Sequence, residues 1–300
     1  MIQTKIGIDG LDFTIDTAVD LNEIVSAVFG VPIQHWRKQQ DFKIKWYKTT
    51  FYLKSTDNAV LAAVHTDPIS KHERRHLIQI HGLCFSNYAL NPLSAATQTV
   101  PPNVVTVSDS AQPALFEPMN LHRVLNYVHA ADGRITDFDF YLDTFSPVVP
   151  FDELQRQALP ANLTKYIRSP FNRIVKNRVP VPRILENSIY IGRRTNGACQ
   201  IICYSKHNDP HHRINEPDNQ MKQPWYRFEV RLRDSTGRSR GAWLLQEHHD
   251  RPEDLKKNIL HLITTYLGFV EPKYSRISLN PLQTWWFELI AAAEKAANRQ

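Results

Sequence analysis

The stretch Asp132-Gly-Arg-Ile-Thr-Asp-Phe-Asp-Phe-Tyr-Leu-Asp143 decides the fold class. Past the Asp132-Gly133 turn signal its side chains alternate with a period of two, which an extended chain sorts onto two faces. Phe138, Phe140 and Leu142 fall on one face, and Asp137, Asp139 and Asp143 on the other. A helix would scatter both sets around its axis. The segment is a strand with an apolar side to bury, and a sheet must exist to receive it.

The flanks extend that sheet. Residues 119–131 carry Leu121, Val124, Leu125 and Val128 at the spacing of one helical face. Residues 184–190 and 198–204 read as two strands joined by a turn at Arg193-Arg-Thr-Asn-Gly197, and residues 225–233 as a third strand. Nearer the N-terminus, residues 11–16 alternate as a strand, and Asp20 to Gly30 has the cap-to-glycine signature of a helix. Residues 43–47 and 50–54 are expected to form a hairpin, with strands at 60–65 and 76–82 and a helix starting at 86–90. Two helices, 252–266 and 281–297, are expected to close the chain. The expected class is α+β, a mainly antiparallel β-sheet flanked by helices. The expected division is an N-terminal sheet-and-helix half, 1–115, a catalytic half, 116–270, and a C-terminal helical tail, 271–300. The Pro/Ser/Thr-rich residues 92–113 are the linker candidate.

Composition narrows the partner. The 36 Lys and Arg against 30 Asp and Glu leave a net charge of +6. That suits a polyanion, because each neutralised phosphate releases counterions; a merely basic soluble protein shows the same balance. Hydrophobic content of 42% with 22% charged residues excludes a disordered chain. Cys84, Cys199 and Cys203 are too few for a disulfide framework. Cys199 and Cys203 sit in an apolar alternating run with no second ligand pair, which reads as strand and not as a zinc site. Reduced thiols, no leader pattern and no apolar run near ~18 residues lead to a cytoplasmic expectation.

Four groups carry candidate chemistry. Asp139 and Asp143, four apart on a strand, share a face. Acidic side chains repeated there are costly to bury without a cation or a basic partner. Either they hold Mg²⁺ or Mn²⁺ through oxygen ligands, or they form a solvated face. Glu229 has Arg227, Arg231 and Arg233 on its own strand face, which reads as a salt-bridged strand or as a metal ligand beside phosphate clamps. Tyr190 ends an apolar strand just before Gly192-Arg193-Arg194. A phenol is a poor nucleophile at its ordinary pKa of about 10, and nearby arginine or metal would stabilise phenolate and phosphate alike. Tyr204 ends the partner strand before Ser205-Lys206 and is the second candidate, with packing the plain alternative for both. The thirteen histidines contain no His-hydrophobic-His pattern. His65, His72 and His76 are loosely spaced, and the adjacent pairs His211-His212 and His248-His249 would point to opposite faces of a strand. They are expected at the surface or on a DNA backbone.

These segments resemble, in order, the motifs of Rep_trans-type rolling-circle replication initiators, found on staphylococcal-type plasmids and filamentous phages and related to the relaxases of conjugative elements. Asp137-Phe-Asp139-Phe-Tyr-Leu-Asp143-Thr-Phe145 is similar to the family's Arg-Ile-Asp-Leu-Ala-Ile-Asp-Asp-Phe strand. Ile189-Tyr190-Ile-Gly192-Arg193-Arg194 resembles its Tyr-hydrophobic-Gly-Ser-Arg motif, and Ile201-Ile-Cys-Tyr204-Ser-Lys206 its Arg-Ile-Tyr-Asp/Glu-Lys motif. Tyr226-Arg227-Phe-Glu229-Val-Arg231-Leu-Arg233 looks like its Arg-x-Glu strand, and Trp285-Trp286 like a Trp-Trp pair near its C-terminus. Three positions depart from the pattern: Asp137 stands for Arg, Arg193 for Ser, and Ser205 for Asp/Glu.

The resemblance implies a metal-dependent DNA nicking-closing enzyme, an endonuclease working by tyrosine transesterification. Tyr190 would be its nucleophile, Arg193 and Arg194 its phosphate clamps, and Asp139, Asp143 and Glu229 its Mg²⁺ or Mn²⁺ ligands. Arg227, Arg231, Lys206, Arg173 and Lys176 would contact DNA. Implied partners are origin DNA as a hairpin or single-stranded nick site, a host helicase and polymerase, and a second copy of the chain in a homodimer. Two rivals stay open: a conjugative relaxase with the same chemistry, and a DNA-binding regulator on the same fold without nicking.

Overall fold

Strand β1, Thr4–Asp16, buries Leu11, Phe13 and Ile15 on alternate positions. The structure, a computed structural model, describes residues 2–39, 46–54, 60–69, 74–85, 119–146, 148–157, 167–168, 183–185, 188–192, 198–206, 224–269 and 281–298. Helix α1 (Leu21–Phe29) starts where the Asp20 carboxylate accepts from the Glu23 N–H at 3.1 Å. It stops where the Gly30 N–H donates to the Ser26 carbonyl at 2.9 Å, the caps expected of those residue types. Strands β2 (Arg37–Gln39), β3 (Tyr47–Lys54), β4 (Val60–Pro68) and β5 (Arg75–His81) follow. Helix α2 (Leu121–Ala130) and strand β6 (Arg134–Thr144) come next, then α3 (Phe151–Gln157), β7 (Ile167–Arg168), β8 (Arg183–Leu185), β9 (Ser188–Gly192), β10 (Cys199–Ser205) and β11 (Tyr226–Leu232). The chain continues with α4 (Asp234–Asp250), α5 (Leu255–Tyr266), β12 (Gly268–Phe269) and α6 (Thr284–Ala297). The class is α+β.

Two compact units share these elements, and their chain segments interleave. One comprises Met1–Gly7, Asp139–Thr236 and Glu253–Gln300; the other comprises Ile8–Phe138 and Gly237–Pro252. In the second unit the strand order is β2-β3-β4-β5-β1-β6. Leu11 faces Ile80, Phe13 faces Ile78, and Val64 faces Ile78 from the other side, all in antiparallel register. Across these strands runs a polar row. The Thr50 hydroxyl meets His65 Nδ1 at 2.9 Å, His65 Nε2 meets Gln79 Oε1 at 2.8 Å, and Gln79 Nε2 donates to Asp12 Oδ2 at 2.6 Å. In the first unit the order is β6-β11-β10-β9-β8, beside a two-stranded β7-β12 ribbon. Phe228 of β11 packs there against Phe269 and Trp286, with ring centroids 5.8 and 5.2 Å away. Trp286 is thus core, at 1% exposure, and Trp285 beside it is half-buried.

Several sequence expectations need correction. Tyr47 and residues 50–54 belong to one strand, β3, whose hairpin partners are β2 and β4. Residues 184–190 are two strands, with Ile184 facing Ile189. Helix α4 went unpredicted because it is polar and carries Gly237 and Gly241. Its logic is tertiary: a Cβ on Gly241 would stand 2.5 Å from Ile135 Cβ and 3.1 Å from the Ile135 carbonyl oxygen, so only glycine allows this approach to β6. His248 and His249 therefore lie on a helix, where His248 is buried beside His122 and His249 stacks on His129 at 4.1 Å. His65 and His76 are buried too, not on the surface. The expected helix at 86–90, the linker at 92–113, the turn at 193–197, and His72, His211 and His212 lie outside the described residues.

The cysteines are buried and free, and Cys84 donates its S–H to the Leu61 carbonyl at 3.0 Å. Burial pushes the Cys84 thiol up to about 12 and raises Cys199 and Cys203 as well.

Replacing Gly241 by Ala is expected to lower Tm. The steric cost against Ile135, about 1–3 kcal/mol for overpacking, outweighs the ~0.5–1 kcal/mol that Ala gains over Gly in a helix. A Tm at or above wild type would refute that packing. Burial lowers the pKa of His65, and of His248 with help from His122 and His249. The unfolded chain then takes up more protons as pH drops below the ordinary imidazole value of about 6.5. Stability is fully present above that value and declines beneath it. Urea midpoints at pH 7.5 and 5.5 should fall in that order, and equal midpoints would exclude the histidines.

Candidate active site

Alternation places Asp139, Tyr141 and Asp143 on one face of β6, opposite the core face of Phe138, Phe140 and Leu142. On β11 the same rule puts Arg227, Glu229 and Arg231 together, and Arg233 follows directly. Adjacent β10 and β9 complete the face through their register. Glu229 faces Ile202, which faces Tyr190; Arg227 faces Tyr204, which faces Ser188; Arg231 faces Gln200, which faces Gly192. Tyr190 is therefore in Glu229's row two strands away, about 10 Å at ordinary strand spacing. Gly192 ends β9 at φ +89, and a Cβ there would stand 2.6 Å from the Cys199 carbonyl oxygen. The glycine of the Tyr190-Ile-Gly192 motif is thus a backbone requirement.

The charges on this face are tightly paired. Arg227 donates from Nε to Asp143 Oδ1 at 2.7 Å and from Nη2 to Asp143 Oδ2 at 2.8 Å. Its guanidinium carbon lies 3.6 Å above the centre of the Tyr141 ring. Both charged side chains are sealed from water, at 6% and 0% exposure. Arg233 grips Asp139 through both oxygens, Nη1 to Oδ1 and Nη2 to Oδ2, the latter at 3.0 Å. Arg231 donates from Nε to Glu229 Oε1 at 2.5 Å and comes within 3.6 Å of Asp139. The Tyr204 hydroxyl donates to Glu229 Oε2 at 3.5 Å. Four residues forward on β6, from Asp139 to Asp143, are four residues back on β11, from Arg231 to Arg227, the register of antiparallel neighbours.

The other expected site residues fall differently. Lys206 is buried, with its ammonium 4.4 Å over the Trp225 ring. Arg193, Arg194, Arg173 and Lys176 lie outside the described residues. Tyr141 and Arg233 join the expected residues at this site. Their signal was their odd-numbered positions on β6 and beside β11.

A divalent cation does not fit the expected acidic set as arranged. Mg²⁺ needs carboxylate oxygens with lone pairs turned toward it. Here each of the three carboxylates is turned to a guanidinium, so a cation would have to enter beside that positive charge. Among the described residues, no three His, Cys, Asp or Glu side chains are grouped to hold a metal ion.

This architecture is similar to that of rolling-circle replication initiators. The solved structure of the rolling circle replication initiator protein from Geobacillus stearothermophilus aligns with 98% of this chain and 97% of its own length, at a TM-score of 0.64 and 17% identity. At that identity the likeness is one of fold. No family model and no curated protein matches the chain. No helix among the described residues is long and apolar enough to cross a membrane.

Asp143→Asn should leave the Arg227 guanidinium buried without its counter-charge, at a cost of about 3–5 kcal/mol. Asp139→Asn, whose partners are partly exposed, should cost no more than about 1 kcal/mol. Denaturant unfolding of both variants checks the contrast, and equal losses would mean that burial does not separate the two pairs.

Proposed function

We propose that the protein initiates rolling-circle DNA replication by nicking one strand of its origin with Tyr190. The observation that carries the reading is the near-complete, two-way likeness of fold to the Geobacillus initiator. The Tyr-x-Gly motif shares a sheet face with an arginine-rich strand, which supports it further. The phenol oxygen of Tyr190 attacks a phosphodiester in line. An O–P bond forms to the 5′ side, the P–O3′ bond breaks, and the phenol proton passes through solvent to the departing 3′-oxygen. The products are a 5′-phosphotyrosyl link and a 3′-hydroxyl that a host polymerase extends behind a host helicase. The strand must be unpaired at attack, as in an extruded hairpin, because the backbone has to enter the site in line. Arg193, Arg194 and Arg231 are the proposed phosphate contacts.

DNA binding without cleavage is a second reading, favoured by the acids being committed to arginines. One experiment separates the two. The protein is incubated with a supercoiled plasmid carrying its own gene and flanking sequence, and covalent protein–DNA adduct is measured. Wild type should yield a nicked, protein-linked product, and Tyr190→Phe should lose the adduct while retaining DNA binding. An adduct that survives in Tyr190→Phe and vanishes in Tyr204→Phe would transfer the role to Tyr204. No adduct from wild type would leave the binding reading.

A further inference from the structure

We propose that Arg231 and Arg233, not a divalent cation, carry the positive charge of this site, and that the anion they take is a phosphodiester group. Three carboxylates, Asp139, Asp143 and Glu229, are each paired with a guanidinium, those of Arg233, Arg227 and Arg231, before any ligand arrives. A doubly charged cation entering here would sit against the guanidiniums that hold these carboxylates. An anion meets the opposite situation. Arg227 is enclosed at 6% exposure, but Arg231 and Arg233 are 30% and 31% exposed. The Arg233–Asp139 pair, partly open to water, is weak, whereas Arg231's partner Glu229 is buried; phosphate oxygens compete for a planar guanidinium through paired hydrogen bonds. Asp139 and Glu229 then act as positioning residues that aim the two arginines, and Arg227–Asp143 anchors the end of the row.

The inference rests on the DNA reading only for the identity of the anion. Its cation half is tested on free protein, so its failure is distinct from failure of nicking. Titrating the full chain with Mn²⁺ alone, followed by the electron paramagnetic resonance of free Mn²⁺, should show no saturable binding up to millimolar concentration. One equivalent bound by wild type and lost in Asp139→Asn would overturn the proposal. The anion half is read from binding to a single-stranded 15-mer oligonucleotide across salt concentrations. Arg231→Gln should weaken binding several-fold whatever the base sequence. It should also make the log–log salt slope shallower by about 0.7, the value for one lost phosphate contact on single strands. Arg231→Lys should restore the slope. Arg233→Gln is the parallel variant should Arg231→Gln misfold, and slopes unchanged in the folded variants would refute phosphate contact.

Discussion

Arg227 and Asp143 exchange two hydrogen bonds, at 2.7 and 2.8 Å, where neither side chain reaches water. A charge in that position is tolerable only while its partner is there, so the pair dictates how β6 lies against β11. A slip of two residues would leave Asp143 without its counter-ion. A slip of one would turn Phe228 and Phe140 out of the core. Arg231, within 3.6 Å of Asp139, repeats the same alignment at a more open position. The register of β6 on β11 and the pairing of their charges follow from that one alignment.

Much of this was legible in the chain. The alternation in β6 and β11, the Asp20 and Gly30 caps of α1 and the apolar stripe of α2 are local signals, and local physics honours them. Helix α4 was not legible, since its register depends on Gly241 meeting Ile135, a contact no periodicity reports. Between β8 and β9 the sequence does carry a signal, the polar pair Glu186-Asn187, which a single strand over 184–190 overlooks. At the site, sequence showed Asp139 and Asp143 on one strand and Glu229 among arginines on another, but not that the strands are neighbours. That missing fact separates a cation site from a set of ion pairs. Asp139 and Asp143 read as ligands only while the arginines of β11 are imagined elsewhere.

The two faces of β11 divide the labour. Phe228, Val230 and Leu232 are buried, with Phe228 against Trp286 and Phe269, which makes the strand rigid. Arg227, Glu229, Arg231 and Arg233 then project from a backbone that packing holds still, so their mutual geometry is set before any ligand is present. Tyr190 stands on a less buried strand in the same row, where a backbone phosphate could approach it.

The three cysteines carry a practical consequence. Each is enclosed, and each thiol is held in its protonated, unreactive form far above neutral pH. Maleimide and haloacetamide reagents need a thiolate they can reach, and these sulfurs offer none in the native fold. A single cysteine introduced on the outer side of α6 would be alkylated alone, giving a one-dye protein whose native sequence needs no cysteine removed.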